Sequence, residues 1–413
     1  MPKRYLLVPV TFFLSLLLYI DRACISAAKG DIAGDLQLDD KQMGMIGAIF
    51  TLGYALAQTP SGALADRLGP RKVLTAIVGL WSIFTAVSGM AWNYISMLVA
   101  RFVFGACEAG AFPGMARASL NWFPTKERGL VTGINFSASR LGAAIAFPLM
   151  IWLIDAAGWR GAFYILGGIG VVFAVFWYVV FRDDPAEHGM ISEEEVKHIE
   201  ETRQKVEENT DPAPSFGEIV SSKQTRMAMA QYFCSNFTFF FCLFWLFPWV
   251  KDTYNLTSKE AGFLAAIPLI GGALGNWLSG WLVDRLFVSK GLTISRRLPA
   301  MIGFGCAAIG LLVSPHMATQ YGAIAFLTLA IFGADMTLSP SWSFCVDVGG
   351  KASGAVSGTM NMAGNLGSFV TVLAFPYLKD AFGSVTPFFY IAAALNVVAI
   401  VIWTRMNNEK VVV

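Results

Sequence analysis

The sequence predicts an all-α polytopic membrane protein: twelve transmembrane helices in two pseudo-symmetric six-helix bundles. Three observations predict it. The 413 residues are 55% hydrophobic and 14% charged, with mean hydropathy +0.57, against about 25% charged in an ordinary soluble protein. Apolar runs of about 20 residues, the length that crosses a bilayer, recur twelve times. Short motifs of the first half also return, in order, in the second.

The apolar runs place spans near residues 5–27, 42–65, 72–91, 94–120, 127–154, 160–181, 226–250, 260–285, 297–315, 319–343, 352–378 and 386–405. Lys3-Arg4 before an apolar stretch is how a signal peptide opens. The stretch lacks a clear small-residue cleavage site and contains Asp21-Arg22, so it reads as a retained first helix. With both termini cytoplasmic, twenty of the thirty lysines and arginines fall on the inner side. Six (Lys29, Lys41, Arg160, Lys251, Lys259, Lys379) fall outside, and four (Arg22, Arg101, Arg117, Arg140) lie within spans. The short loops agree, since Arg67, Arg71, Lys72, Lys126 and Arg128 are all inner, a positive-inside pattern.

The polar stretch Asp183 to Lys223 divides the spans six and six. The expected domains are therefore a first bundle (1–182), a cytoplasmic linker (183–225) and a second bundle (226–413). Ser192 with Glu195 reads as a capping box opening a short amphipathic helix from Glu193 to Glu208, its charges forming a solvated face.

The halves repeat. Gly62-Ala-Leu-Ala-Asp66-Arg67 after span two returns as Gly280-Trp-Leu-Val-Asp284-Arg285 after span eight. Phe104-Gly105-Ala106 returns as Phe332-Gly333-Ala334. Gly129, Gly133 and Leu141-Gly142 return as Gly354, Gly358 and Leu366-Gly367 at a constant offset of 225. Such duplication is the architecture of secondary transporters, with the substrate site expected between the halves near mid-membrane.

Charges inside the spans are the candidate machinery. An ionised side chain at bilayer depth costs roughly 2.5–3.5 kcal/mol on insertion scales and marks ion or substrate pathways. Arg101 and Glu108 sit seven residues apart in RFVFGACE, two turns along one helix face and roughly 10 Å apart. They are either part of such a pathway or a buried salt bridge that fixes packing. Arg22 and Arg101 are permanent cations able to fork onto a carboxylate, and Asp21 and Glu108 are carboxylates able to carry protons. Arg140, mid-span five, can bind a second acidic group or pair with Glu108. Asp335 in span ten can be its counter-charge or a second proton site.

Other chemistry is not indicated. No G-x-S-x-G, H-E-x-x-H or Walker A motif points to an enzyme. The six cysteines form no C-x-x-C pair, so neither a disulfide framework nor a zinc site is expected. No cofactor is expected, and a net charge of +2 suggests no nucleic-acid partner.

Gly62 to Lys72 reads GALADRLGPRK. Its glycines let helices approach closely, and Asp66 can pair with arginines and with a helix N-terminus. Gly62, Asp66, Arg67, Gly69 and Arg71, with Asp284 and Arg285 of the repeat, are therefore candidate gating residues. This motif, the six-plus-six layout and the repeat resemble the major facilitator superfamily over essentially the whole chain. Tyr19-Ile20-Asp21-Arg22 and RFVFGACEAGAFPG resemble more narrowly its anion:cation symporter branch, which includes sialin, vesicular glutamate transporters and bacterial hexuronate and galactonate transporters.

That resemblance implies transport of organic anions, commonly coupled to protons. It carries functional roles onto Asp21, Arg22, Arg101 and Glu108. Tyr54 matches a position facing substrate, and Ser339, Trp342 and Asn361 resemble sugar-acid-contacting positions of the second half. Arg140 departs from the pattern. The expectation is a proton-coupled symporter of a small organic anion, a sugar acid such as a hexuronate or aldonate, in a bacterial inner membrane, in contact with lipid and monomeric. An anion exchanger of the organophosphate:phosphate type, or a non-transporting membrane sensor, are the competing readings.

Overall fold

The computed structural model describes residues 2–203 and 214–407, side chains at 40, 41, 147, 258 and 259 apart. Among the described residues there is no strand. The first half runs through α1 (Leu7–Ala27), α2 (Lys29–Leu36), α3 (Asp40–Leu68), α4 (Pro70–Gly89), α5 (Tyr94–Glu108), α6 (Ala111–Trp122) and α7 (Arg128–Val180). Two short helices, α8 (Glu193–Thr202) and α9 (Phe216–Ser221), lie between the halves. The second half runs through α10 (Lys223–Phe244), α11 (Leu246–Thr253), α12 (Ser258–Lys290), α13 (Leu292–Val313), α14 (Gln320–Met336), α15 (Leu338–Gly349), α16 (Ser353–Phe382) and α17 (Thr386–Arg405).

These helices are the twelve spans, four of the boundaries being redrawn. Span four is interrupted between Glu108 and Ala111, span seven at Trp245 and span ten at Thr337. Spans five and six run together as α7, broken where Gly158 takes φ +69°, a conformation open to glycine at little cost. Nine stretches among the described residues are long and apolar enough to cross a membrane. Spans two and five are not among the nine, and one 63-residue stretch, Gln320–Phe382, holds two spans.

Local chemistry sets the ends. Capping boxes open α3 (Asp39 with Gln42), α5 (Asn93 with Ser96) and α12 (Thr257 with Glu260). Gly69 before α4 and Gly291 before α13 both take φ +82°, so the repeat extends to the turn after spans two and eight.

By contacts the chain forms two compact units. The first comprises Met1–Thr125, Leu141–Pro214 and Gly349–Gly358; the second comprises Lys126–Arg140, Ser215–Val348 and Thr359–Val413. In the first, α3 and α5 cross backbone to backbone. A Cβ at Gly53 would fall on the Phe102 carbonyl, and one at Gly105 on the Phe50 carbonyl. In the second, Gly275 likewise meets the Phe332 carbonyl, where α12 packs on α14. An aromatic cluster, with Phe241 5.3 Å from Phe388 and 4.9 Å from Phe389 between ring centres, fills that unit's core.

The linker corrects the sequence reading. The helix expected from Glu193 to Glu208 stops at Thr202 because Arg203 is extended; residues 204–208 lie outside the described residues. The capping box is half made. Glu195 N–H donates to Ser192 Oγ at 3.4 Å, but the Glu195 carboxylate turns away to accept the Lys3 and Arg4 amides, both at 2.9 Å, and the Arg4 guanidinium at 3.1 Å. Glu195 therefore ties α8 to the start of the chain and is not part of a solvated face. Asp183 is also engaged: its carboxylate accepts the Arg71 amide at 2.8 Å and so caps α4.

Candidate functional site

Four charged side chains of the first unit lie together, Asp21 and Arg22 of α1 with Arg101 and Glu108 of α5, and Phe50 and Tyr54 of α3 lie against the arginines. Arg22 Nε donates to Glu108 Oε2 at 2.8 Å, joining α1 to α5, and Glu108 is fully buried. The Arg22 guanidinium lies 4.3 Å from the centre of the Tyr54 ring, 5.0 Å from Tyr19 and 5.6 Å from Phe50, contacts that favour a cation over the ring face. Arg101 is 1% exposed. It rests on Phe104 at 4.2 Å and Phe50 at 5.2 Å, and its Nε and Nη1 donate to no group among the described residues. Phe50 therefore lies against both guanidinium groups.

Glu108 is thus paired with Arg22 of another helix, and the Arg101–Glu108 bridge allowed by their spacing does not form. Asp21, also fully buried, accepts the Trp81 indole N–H at 3.0 Å through Oδ2, while its Oδ1 has no partner among the described residues. Asp21 and Arg22 are neighbours in sequence with different partners. Buried groups with unused donors or acceptors cost about 1–3 kcal/mol each, so this cluster is built at the expense of stability.

The second unit holds the remaining candidates. Arg140 and Asp335 form a two-point ion pair, Nε to Oδ2 at 2.8 Å together with Nη2 to Oδ1. Arg140 is thus paired with Asp335, and its ion pair is not with Glu108. The Trp342 indole N–H donates to Tyr232 Oη at 2.9 Å, and the ring lies 5.3 Å from Phe136. Asn361 is nearly buried, its carbonyl accepting the Asn365 amide at 2.8 Å. Ser339 is fully buried and donates to the Gly129 carbonyl at 2.7 Å, at the start of α7.

The repeated loop motifs build matching helix caps. In the first unit, the Gly354 and Ala355 amides at the start of α16 donate to Asp66 at 2.9 and 2.8 Å. In the second unit, the Gly129 and Leu130 amides at the start of α7 donate to Asp284 at 2.9 and 2.7 Å. The glycines permit the approach: a Cβ at Gly62 would fall on the Gly354 carbonyl, and one at Gly280 would lie 2.7 Å from the Gly129 carbonyl. Arg117 adds hydrogen bonds to the Gly350 and Lys351 carbonyls at 3.3 and 3.4 Å. In the second unit Arg296, Arg128 and Asp347 form a buried cluster, with Arg296 Nε 2.9 Å from Asp347. Gly69 approaches Asp183 and Arg71 donates to the Tyr178 carbonyl at 2.9 Å. Arg67 and Arg285 are exposed.

Residues 11–372 match the sequence profile of the Major Facilitator Superfamily. The chain belongs to that superfamily. A "Probable sulfoacetate transporter" of Cupriavidus necator is 31% identical over 95% of this chain and 91% of its own length. A "Probable galactarate/D-glucarate transporter" of Escherichia coli is 34% identical over 91% and 88%. Among solved structures, a proton:xylose symporter of the superfamily superposes with a TM-score of 0.76 at 14% identity, covering 99% of this chain and 97% of that one, which supports the fold alone. This superfamily member is a multi-pass membrane transporter and not an enzyme.

Sequence reasoning missed several residues of the site. Phe50 carried a readable signal, since it lies one turn before Tyr54 on the same helix face. Trp81 and Asp183 carried none: a tryptophan in an apolar span and an aspartate in a polar linker look ordinary. Among the described residues no group of three or more metal-ligating side chains is placed to hold a metal ion.

Proposed function

We propose that this transporter is a proton-coupled symporter of a small organic anion, a sugar acid or similar organic acid, working by alternating access with both termini cytoplasmic in a bacterial inner membrane. The observation that carries the reading is the unequal state of the two arginines. Arg101 is buried with unused donors, while Arg22 is neutralised by Glu108. A proton arriving at Glu108 converts its carboxylate to the neutral acid and releases Arg22. An anionic carboxylate then meets two free guanidinium groups, each able to fork onto it. When the anion leaves, Glu108 returns its proton and reclaims Arg22. Tyr54, Phe50 and Phe104 hold the cations in place without neutralising them.

Sulfoacetate and galactarate or D-glucarate are named for the relatives, and each is a small organic acid. Asn361 is the proposed contact to substrate hydroxyls, and Trp342, whose indole N–H is engaged by Tyr232 Oη, is proposed to offer its ring face. Ser339, whose hydroxyl is engaged by the Gly129 carbonyl, is assigned to holding α7. Arg140 is assigned to its Asp335 pair. The Asp66 and Asp284 caps are the proposed gates, formed in one conformation and broken in the other.

Uptake of labelled galactarate, galactonate and sulfoacetate into proteoliposomes, with and without a pH gradient, tests the reading. Accumulation driven by an inward proton gradient is expected for at least one of them. Exchange indifferent to the gradient would replace symport by an anion exchanger.

A further inference from the structure

The Arg140–Asp335 pair has no role in the cycle just described, yet it is built like the pair that has one. Glu108 is the last residue of α5, where span four is interrupted. Asp335 is the penultimate residue of α14, where span ten is interrupted at Thr337. Those two spans correspond through Phe104-Gly105-Ala106 and Phe332-Gly333-Ala334. Each carboxylate is paired with an arginine of another span, and each arginine lies on an aromatic ring: Arg22 on Tyr54, and Arg140 on Phe239 at 3.8 Å.

Space for the second carboxylate is made by a glycine: a Cβ at Gly272 would fall on Asp335 Oδ2. Asp335 and Arg140 are 1% and 6% exposed. A buried ion pair of this kind seldom gives more stability than apolar side chains of the same volume, so packing alone is a weak reason for it.

We propose that Asp335 is a second proton-coupling site, held by Arg140 when ionised, so that transport carries at least two protons per cycle. The step is simple in balance: a proton joins the carboxylate, no other bond changes, and Arg140 keeps its charge over the Phe239 ring. The interruption at Thr337 lets the last turn of α14 swing the neutral acid away from Arg140. From α7 Asp335 meets Arg140, from α10 the Cys242 thiol is within electrostatic reach, and from α12 it meets Gly272. From α13, Gly303 and Cys306 pack at the level of Gly333. His316, in the turn before α14, is engaged by Tyr390 Oη at 3.0 Å.

The inference rests on the proton-coupled reading, and the experiment separates the two. In proteoliposomes clamped at zero membrane potential with valinomycin and potassium, the equilibrium accumulation of labelled galactarate is measured under a pH gradient of about one unit, with galactarate exchange as control. Each coupled proton multiplies the ratio about tenfold per pH unit, because one pH unit corresponds to about 1.36 kcal/mol. The wild type is expected to reach a ratio of about 100 or more. The Arg140→Gln/Asp335→Asn double variant should still exchange and should accumulate about tenfold less. If that variant does not fold, Arg140→Met/Asp335→Leu removes both charges with apolar side chains of similar length. A wild-type ratio of about 10, or a charge-free double variant with the wild-type ratio, overturns the proposal. Wild-type exchange with no response to the gradient would instead overturn proton coupling as a whole.

Discussion

Glu108 is held by Arg22 at 2.8 Å, and Arg101, two turns earlier on the same helix as Glu108, has its buried Nε and Nη1 without an acceptor among the described residues. The carboxylate thus neutralises one of the two cations and leaves the other, and a proton on it would release Arg22 as well. On the proposed reading, an anion site half occupied by the protein's own carboxylate is a competitive arrangement that would couple proton arrival to anion binding.

Removing either cation leaves the substrate carboxylate partly unpaired. Arg22→Ala and Arg101→Ala are each expected to weaken binding by about 2–5 kcal/mol. Arg101→Lys should fail as well, because lysine lacks the planar fork. Calorimetric titration of the preferred organic acid checks this; unchanged affinity in both alanine variants would move the site elsewhere.

The glycine approaches predict a positional contrast. Gly62→Ala puts a methyl group on the Gly354 carbonyl, whereas Gly44, on the same helix, has nothing within 4 Å of its would-be Cβ. Gly62→Ala should slow transport at least tenfold and lower thermal stability, and Gly44→Ala should leave transport near wild type. Initial uptake rates and thermal unfolding of the two purified variants measure the difference.

Much of this was legible in the sequence for a physical reason. Apolar runs are properties of single segments, and repeated motifs such as Gly62–Asp66 and Gly280–Asp284 reveal themselves by comparison of the chain with itself. The pairings were less legible. The two-turn spacing of Arg101 and Glu108 shows that they share a face, but not that Arg22 of α1 reaches Glu108 first. The Ser339 hydroxyl looked free for substrate until the fold brought the Gly129 carbonyl to it. Glu195 looked solvated because a polar linker hides which of its acids meet backbone amides.

The two aspartate caps should act locally. Asp66→Ala removes the acceptor of the Gly354 and Ala355 amides, and Asp284→Ala that of Gly129 and Leu130. Losing a helix cap costs about 0.5–2 kcal/mol, so amide hydrogen exchange should rise several-fold at the start of α16 in the first variant and of α7 in the second. Equal effects at both helices in either variant would show that the caps open together.

Glu195 predicts a pH dependence outside the membrane spans. Burial raises its carboxyl pKa, but hydrogen bonds from the Arg4 and Lys3 amides and the Arg4 guanidinium outweigh burial and hold it below the usual glutamate value. A lowered carboxyl pKa stabilises the folded contact above the unfolded value of about 4.3, and that stability is lost as pH falls through the lower folded value. Protection of the Lys3 and Arg4 amides should therefore be intact at neutral pH and fade only in acid. Glu195→Gln should reproduce the loss at neutral pH, read by hydrogen exchange.

The most direct test of the account is Glu108→Gln, assayed for exchange and for gradient-driven uptake on the same vesicles. Glutamine keeps the size and hydrogen-bonding capacity of the side chain and cannot titrate. The variant should bind the organic acid and exchange it at equal concentrations. Under a pH gradient of one unit at zero membrane potential, it should accumulate about tenfold less than wild type, the worth of one proton. Accumulation by Glu108→Gln to the full wild-type ratio would contradict the assignment of Glu108 as the group that couples proton to anion.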